Sequence, residues 1–366
     1  MKVRPVVTAL VLVVAALVAF APLLEAQTGP ALGFSPQVFV IGADGTGLRQ
    51  LTNENGWRRT PTWSRDGRRL AYAGRAIKVI TLATGKARAL ARSGQLGGNA
   101  WVAWSPTRDE ILFTYGAGTE DHPRTAIGTL SADGRRLRKL ASWKSLRSPL
   151  GGPAWSPDGR RIAYLLEGKP LSRGGPLGTV SGGHLDVAVM TRTGKQKRRF
   201  RLRGDEWAPL WSPDGRWLLF GRETGRSTTR RSKFGLWRMS PGGSVLQRVG
   251  PRLINADPTW SHDSTRVAFS GHTDTGARQQ ALYVMDVGRQ AVPRMVIDEV
   301  GASAWSPTGE LIAFADFNGG LRATAPDGSG QRMLATFAPD TEFRNLNWSP
   351  DGSRLAFIAE KQRPSD

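Results

Sequence analysis

Residues 155–164 read Trp-Ser-Pro-Asp-Gly-Arg-Arg-Ile-Ala-Tyr, and this stretch decides the fold. Proline fixes φ near −65° at the first corner of a turn, and aspartate can hydrogen-bond to its own backbone. Glycine then accepts the left-handed conformation that closes a hairpin. The apolar run Ile162-Ala163-Tyr164 that follows is typical of a short strand. The stretch therefore predicts a β-hairpin.

The Trp-Ser pair at the start of this hairpin recurs along the chain, and each copy is followed by a turn and a short apolar run. The intervals lie near the roughly 40–50 residues of a four-stranded propeller blade. Seven copies predict seven blades, with the repeated tryptophans as core residues. The pairs are Trp63-Ser64, Trp104-Ser105, Trp155-Ser156, Trp211-Ser212, Trp260-Ser261, Trp305-Ser306 and Trp348-Ser349.

A second hairpin completes each blade, and its turn contains glycine. The first such hairpin runs from Val38 to Thr52 around Asp44-Gly45. The chain thus begins with the second half of a blade and ends soon after a first half, at Trp348. We therefore expect the N-terminal hairpin to pair with the Trp348 hairpin and close the ring, which hides edge strands. The later turns carry Gly85, Gly134, Gly194, Gly242, Gly288 and Gly328.

The pattern Trp-Ser-Pro-Asp-Gly, two residues, then Leu/Ile-Ala-Phe/Tyr resembles the WD40-like (PD40) repeat of TolB-like β-propellers. The resemblance covers roughly residues 37–359 and implies an all-β, seven-bladed β-propeller of four-stranded blades. TolB has an N-terminal α/β domain, and because only about ten residues separate the expected cleavage site from the first strand, we do not expect that domain here. Related propellers precede the hydrolase domain of prolyl-oligopeptidase-like enzymes, and with nine residues after Phe357 we do not expect that domain either.

The N-terminus reads as an export signal. Lys2 and Arg4 precede an uncharged stretch from Val6 to Leu24, and Ala26 offers a small residue for cleavage before Gln27. About twenty apolar residues can also span a bilayer, so an uncleaved anchor is the alternative. We predict a signal peptide or anchor at 1–26, a linker at 27–36, the propeller at 37–360 and a C-terminal tail at 361–366. The localisation that follows is periplasmic, cell-surface or extracellular.

The composition excludes several classes of protein. A hydrophobic share of 39% over 366 residues supports a large core, which excludes a disordered chain. With no cysteine there is no disulfide framework, cysteine zinc site or thiol nucleophile. The 51 Lys and Arg against 30 Asp and Glu give a net charge of +21, so long-range attraction is for anions.

Alternating strands place the tight Asp-Gly and Gly turns on one rim of the wheel. The longer loops within and between blades lie on the opposite rim, where repeat proteins often bind ligands. The blade-to-blade loops surround the mouth of the central channel. Aromatic and charged residues there can stack on and orient a sugar or peptide, although they can equally plug the mouth or pack between blades. The candidates are Trp57, Arg58, Arg59, Trp101, Glu206, Trp207, Glu342, Phe343 and Arg344.

Catalytic motifs are missing from the sequence. No Gly-x-Ser-x-Gly nucleophile elbow, phosphate-binding loop or zincin spacing occurs, so we expect no catalytic residue, metal or cofactor. Propeller lyases use histidines and a metal, and His122, His184 and His272 fall in long loops of one rim. Scattered carboxylates near the mouth, namely Asp257, Asp298, Glu299 and Asp340, form no acid–base pair by spacing alone.

Basic segments mark the outer strands. Residues 195–203, 135–139 and 226–233 are rich in Lys and Arg. They fit charged edge strands that resist aggregation, or a patch for phosphates, anionic polymer or lipid head groups. Export argues against nucleic acid as a partner, and membrane contact is expected only through the N-terminal segment if it stays as an anchor.

The sequence therefore predicts an exported, monomeric, non-catalytic binding or scaffolding propeller of the cell envelope. Its partner would be a protein or an anionic cell-envelope polymer that binds on the long-loop face. A polysaccharide lyase-like enzyme acting on an anionic glycan and a component of a Tol-like envelope complex are the alternatives.

Overall fold

The computed structural model describes residues 26–56, 58–92, 101–116, 124–144, 152–167, 185–202, 205–223, 233–273, 280–288 and 291–362. All the regular elements in these ranges are β-strands. No helix in the described ranges has the length and apolar character needed to cross a bilayer.

The strands form seven four-stranded antiparallel blades around a ring. Three strands precede the first complete blade: β1 (Gln27–Thr28), β2 (Gln37–Gly42) and β3 (Arg49–Gln50). Blade 1 contains β4 (Arg59–Trp63), β5 (Arg69–Ala73), β6 (Ala76–Thr81) and β7 (Ala87–Arg92). Blade 2 contains β8 (Val102–Trp104), β9 (Glu110–Gly116), β10 (Arg124–Ser131) and β11 (Leu137–Lys144). Blade 3 contains β12 (Ala154–Trp155), β13 (Arg161–Glu167), β14 (Leu185–Thr191) and β15 (Arg198–Arg199).

Blades 4 and 5 share one long strand. Blade 4 contains β16 (Asp205–Trp211), β17 (Leu218–Glu223), β18 (Lys233–Met239) and the first part of β19 (Leu246–Trp260). Blade 5 begins with the second part of β19 and continues with β20 (Arg266–Thr273), β21 (Ala281–Asp286) and β22 (Arg294–Ile297). Blade 6 contains β23 (Val300–Trp305), β24 (Ile312–Asp316), β25 (Gly320–Thr324) and β26 (Arg332–Thr336). The last strands are β27 (Thr341–Trp348) and β28 (Arg354–Lys361).

The two ends of the described chain meet in blade 7, and the predicted closure is confirmed. β2 pairs antiparallel with β28, with Val38 opposite Ile358, so blade 7 has the order β27-β28-β2-β3. Blade 7 is joined to blade 1 by polar contacts as well. The Trp63 indole Nε1 donates to the carbonyl of Asn347 at 2.9 Å, and Arg354 Nη2 donates to the carbonyl of Gly67 at 2.8 Å.

The hydrophobic core lies between the blades, and every neighbouring pair of blades encloses part of it. At the closing junction, Val40 and Ala356 of blade 7 pack with Trp63 and Leu70 of blade 1. The other six junctions have comparable clusters of buried apolar residues. Because each junction is buried, the ring is continuous.

The repeated tryptophans are 5–9% exposed and most of them join one blade to the previous one. Trp63, Trp155, Trp211 and Trp348 each donate through Nε1 to the carbonyl of the residue before the preceding framework tryptophan. Trp104 and Trp260 have no partner for Nε1 among the described residues, and Trp305 donates to the Gly309 carbonyl. The tryptophans are therefore core residues that also connect neighbouring blades.

Serine and aspartate hold the tight turns together. In the turn of blade 5, the Ser261 hydroxyl donates to Asp263 Oδ1 and accepts from the backbone N–H of Arg266 at 2.9 Å. The same carboxylate accepts from the backbone N–H of Thr265. These hydrogen bonds lower the pKa of Asp263 to about 2. The hydrogen bond from the backbone to aspartate that the sequence predicts is present in this turn, with serine as an additional partner. Ser264, at φ 62°, takes the left-handed conformation here in place of glycine.

The predicted linker begins with a strand. β1 pairs parallel with the outer strand β26, with Gln27 opposite Ala335, and so adds a fifth strand to blade 6. Gly29 continues this contact by donating its backbone N–H to the Thr336 carbonyl at 2.7 Å, and its Cα lies against the Phe337 ring, where a Cβ would collide. The sequence did not predict this strand, because Gln27 and Thr28 show no apolar alternation.

Candidate functional site

The innermost strands line a central channel, and their side chains enter it at equivalent positions. Trp101, Asp257, Ala302 and Asn345 each lie three residues before a framework tryptophan. All four line the channel cavities. Five inner strands have an irregular register just before the tryptophan, namely β4, β16, β19, β23 and β27. Such bulges redirect side chains and are common next to binding sites.

Two cavities occupy the channel and meet at Asp257, Ala302 and Asn345, which line both of them. The cavity on the long-loop side has a volume of about 390 Å³. The cavity on the tight-turn side has a volume of about 500 Å³ and is lined by residues of the Trp-Ser-Pro turns, including His262 and Pro307. The two cavities therefore adjoin each other at these three residues.

The long-loop cavity brings six of the nine predicted site residues together. Five of them come from blade-to-blade segments that enter β4 and β27, and Trp101 directly precedes β8. The six are Arg58, Arg59, Trp101, Glu342, Phe343 and Arg344.

Arg58 is held rigidly at the cavity wall. It is 5% exposed, and its Nη1 donates to the carbonyls of Pro36 at 3.1 Å and Gly56 at 2.9 Å. Its Nη2 lies 3.6 Å from the Glu54 carboxylate, and its Nε has no partner among the described residues. Burial lowers the pKa of this guanidinium. Arg58 thus fixes the wall and leaves one buried donor unused.

Arg59 and Trp101 form a stacked pair from two neighbouring blades. The Arg59 guanidinium carbon lies 5.6 Å from the centre of the Trp101 ring, and both side chains are half-buried. Within the described ranges, Arg59 has no carboxylate within ion-pair distance. Cation–π stacking orients an arginine and leaves its N–H donors available in the plane. The pair therefore presents a positive charge to the cavity.

Arg344 is neutralised by two glutamates. Its Nε and Nη2 donate to the two oxygens of Glu342, both at 2.7 Å, and its Nη1 lies 2.9 Å from Glu360. The hydrogen bonds with Glu342 raise the pKa of Arg344. The three side chains together carry a net charge of −1, so among the described residues Arg59 is the cation of the cavity wall that has no carboxylate partner.

Phe343 belongs to the core as well as to the cavity wall. It is 6% exposed, and its ring centre lies 5.3 Å from that of Phe337 and 5.9 Å from that of Phe357. We expect it to shape the wall and not to offer a free aromatic face. Trp57 lies outside the described residues. Glu206 and Trp207 are placed in β16 by their backbones alone.

Asp257 is the acidic group at the point where the two cavities meet. Its side chain is accessible from the channel, but the enclosing walls desolvate it, and this burial raises the pKa of its carboxyl. Aligning the seven repeats on their tryptophans would have found this position, because Asp257 and Asn345 occupy the same place in their blades. The other carboxylates expected near the mouth do not line these two cavities. Asp340 pairs with Lys361 at 3.2 Å, and Asp298 and Glu299 are exposed just before β23.

The histidines give no metal centre in the described part of the chain. His122 and His184 lie outside it, His272 lies on β20, and His262 lines the tight-turn cavity. Among residues 26–362, excluding the gaps given above, no three His, Asp or Glu side chains are grouped closely enough to bind a metal ion.

Comparisons with known proteins agree on the architecture. No protein-family model matches the chain. The structure superposes on that of a putative TolB from Agrobacterium tumefaciens with a TM-score of 0.52 and 18% identity, over 92% of this chain and 100% of that one. The chain has a TolB-like seven-bladed propeller fold. The resemblance inferred from the repeats is confirmed at this level.

Enzymes share the same propeller. The structure also superposes on oligogalacturonate lyase from Vibrio parahaemolyticus, with a TM-score of 0.60 and 12% identity over 91% of this chain and 98% of that one. A curated relative, dipeptidyl-peptidase 5 of Porphyromonas gingivalis, is 23% identical over 241 residues, 53% of this chain. The chain spans about a third of that relative's length (34%). These likenesses show the propeller and assign no reaction to it.

Proposed function

We propose that this protein is an exported, non-catalytic binding propeller of the cell envelope, and that the long-loop mouth of its channel holds a partner. The single observation that carries the proposal is the stacked pair of Arg59 and Trp101 at the wall of the 390 Å³ cavity. A cation without a carboxylate partner beside an aromatic face suits an anionic group carried on a ring or a short apolar stem.

The partner is a protein segment or a polymer that presents such a group. Neighbouring contacts make the mouth rigid: Arg58 is bonded to two backbone carbonyls, and Arg344 is clamped by Glu342 and Glu360. A preorganised mouth loses little entropy on binding. The likeness to TolB is compatible with an envelope complex, and it supports a protein as the first partner to seek.

Site-specific photo-cross-linking in intact cells tests this proposal. A photoreactive phenylalanine analogue replaces Trp101 in one variant and Arg160 in the other. Arg160 is an exposed control on the tight-turn rim. We expect a discrete partner to be captured from position 101 and not from position 160, and Arg59→Ala to weaken that capture. Equal capture from both positions would contradict the proposal.

An activity assay separates binding from catalysis. The purified chain is incubated with oligogalacturonate, with and without manganese, and unsaturated products are followed by ultraviolet absorbance. We expect no product. Turnover that disappears when His122, His184 and His272 are replaced together would favour the lyase alternative and overturn the non-catalytic role.

A further inference from the structure

A second surface of the wheel carries unpaired positive charge. On blade 2, Arg136 lies in the turn before β11, and Arg138 and Lys139 lie on that strand. On blade 3, Lys195 and Lys197 lie in the turn before β15, and Arg201 follows it. All six residues are exposed. We call them the edge patch, and none of them has a carboxylate within ion-pair distance in the described part of the chain.

The two halves of the edge patch adjoin each other. Gly194, with φ +78°, lies so close to β11 that a Cβ there would be 2.9 Å from the Leu140 carbonyl oxygen. Lys195 follows Gly194 in sequence, and Lys139 precedes Leu140. The basic residues of blade 3 therefore continue those of blade 2 across the junction, as one surface.

Other arginines on or beside the outer strands have structural roles that the edge patch lacks. Arg199 pairs with the buried Asp186, and Arg332 Nη2 donates to the Ala43 carbonyl at 2.7 Å, which joins blades 6 and 7. Arg294 similarly donates to the carbonyls of Pro326 and Asp327. The fold thus uses those cations and leaves the charges of the edge patch unused.

Protection of edge strands against aggregation accounts for only part of the patch. Charge on an exposed outer strand blocks pairing with another sheet, which explains Arg138 and Lys139. It does not explain Arg136, Lys195 and Lys197, which lie in the turns, where there is no strand edge to protect. Like charges held together on one surface repel each other, and bound anions relieve that repulsion.

We propose that the edge patch binds a linear polyanion, a chain of repeated phosphate or carboxylate groups that crosses from blade 2 to blade 3. The outer edges of neighbouring blades in a seven-fold wheel face directions that differ by about 50°. A flexible chain can follow both edges across this change of direction, and its repeated charges match the cations of both blades. This surface is separate from the channel mouth, so the inference does not depend on the proposed function.

Polyphosphate binding measured over a range of salt concentrations tests the proposal. The patch variant carries four substitutions: Arg138→Gln, Lys139→Gln, Lys195→Gln and Lys197→Gln. Each cation that contacts a single-stranded polyanion adds about 0.7 to the slope of log affinity against log salt, so loss of four contacts reduces the slope by about 3. Affinity at low salt falls accordingly, and the melting temperature stays at the wild-type value because all four side chains are exposed.

A matched control removes the same charge elsewhere. It carries Arg65→Gln, Arg68→Gln, Arg108→Gln and Arg160→Gln, all exposed residues in the tight turns between first and second strands. We expect the control to keep the wild-type slope. Equal losses in both variants would show that only net charge matters and would overturn the proposal, as would absence of polyphosphate binding by the wild-type chain.

Two further probes separate the sources of anionic charge. Inorganic phosphate tests single anions, and vesicles of phosphatidylglycerol test a membrane. We expect inorganic phosphate to compete only weakly with the polymer. Vesicle binding that is tighter than polymer binding and is lost in the patch variant would assign the surface to a lipid bilayer and contradict the polymer.

Discussion

Replacing Trp63 by phenylalanine tests the bond that joins the last blade to the first. The substitution keeps an aromatic ring but removes the indole N–H that donates to the Asn347 carbonyl at 2.9 Å. Trp104 is the matched control, because its Nε1 has no partner among the described residues. We expect Trp63→Phe to destabilise the protein more than Trp104→Phe.

The two sites differ in little else. Both tryptophans are 5% exposed, and each is covered by an arginine, with Arg354 at 5.3 Å from the Trp63 ring and Arg69 at 5.0 Å from the Trp104 ring. The cavity and cation–π contributions therefore largely cancel in the comparison. The remaining difference is the lost Trp63 hydrogen bond and the Asn347 carbonyl that it leaves without a donor. We expect this loss to lower the free energy of unfolding by about 1–2 kcal/mol.

Urea unfolding followed by circular dichroism measures this difference. The two variants and the wild-type chain should unfold with the same dependence of free energy on urea concentration. Differences between their unfolding midpoints then report differences in stability. A cost for Trp104→Phe equal to or greater than that for Trp63→Phe would refute the reasoning. It would mean that the framework tryptophans act by volume alone and that the inter-blade bond contributes nothing.

Three other predictions follow from the turns and the N-terminal strand. The pKa of Asp263 lies below its ordinary value of 3.8, at about 2. The carboxylate therefore stabilises the folded protein fully above pH 4, and this contribution is lost as the pH falls towards 2. In urea unfolding, Asp263→Asn should lower the free energy of unfolding less at pH 3 than at pH 7. Gly194→Ala should destabilise more than Gly85→Ala, because both have positive φ but only the former would place a Cβ 2.9 Å from a backbone carbonyl; equal midpoints in urea would contradict this. Gly29→Ala should release β1 from blade 6 because the Cβ collides with Phe337. Hydrogen exchange at the amide of residue 29 should then be faster than in the wild-type chain, while exchange in blade 1 stays unchanged.

The fold could be predicted because it rests on local chemistry that repeats. Each Trp-Ser-Pro-Asp-Gly copy specifies a hairpin by itself, and seven copies leave the ring as the way to bury all seven tryptophans. Closure through Val38 to Thr52 followed from counting half-blades. The added strand β1 could not be predicted, because Gln27 and Thr28 have neither apolar alternation nor a turn signal, and their position depends on the exposed edge of β26.

The channel mouth could be predicted only in outline. Topology placed Arg58, Arg59 and Arg344 near one another, and all three line the long-loop cavity. Sequence alone could not separate their roles, since these depend on partners that are distant along the chain. Glu360, for example, reaches Arg344 from the neighbouring strand β28. Asp257 was seen as a scattered carboxylate, and its place where the cavities meet depends on a bulge in β19.

Closure of the wheel by its two ends is the central claim, and an engineered disulfide tests it most directly. The chain has no cysteine, so a variant with Val40→Cys and Ala356→Cys can form only one intramolecular bond. These residues are register partners in β2 and β28 and pack in the same cluster. Opposed antiparallel residues have Cα atoms about 4.5–5.5 Å apart, within the range that a disulfide spans. A control pairs Val40→Cys with Ala313→Cys, the equivalent position in blade 6.

Under mild oxidation of the folded protein, mass spectrometry and non-reducing electrophoresis should show a monomeric disulfide in the Val40–Ala356 variant and free thiols in the control. Free thiols in both variants, or dimers only, would contradict the closed wheel.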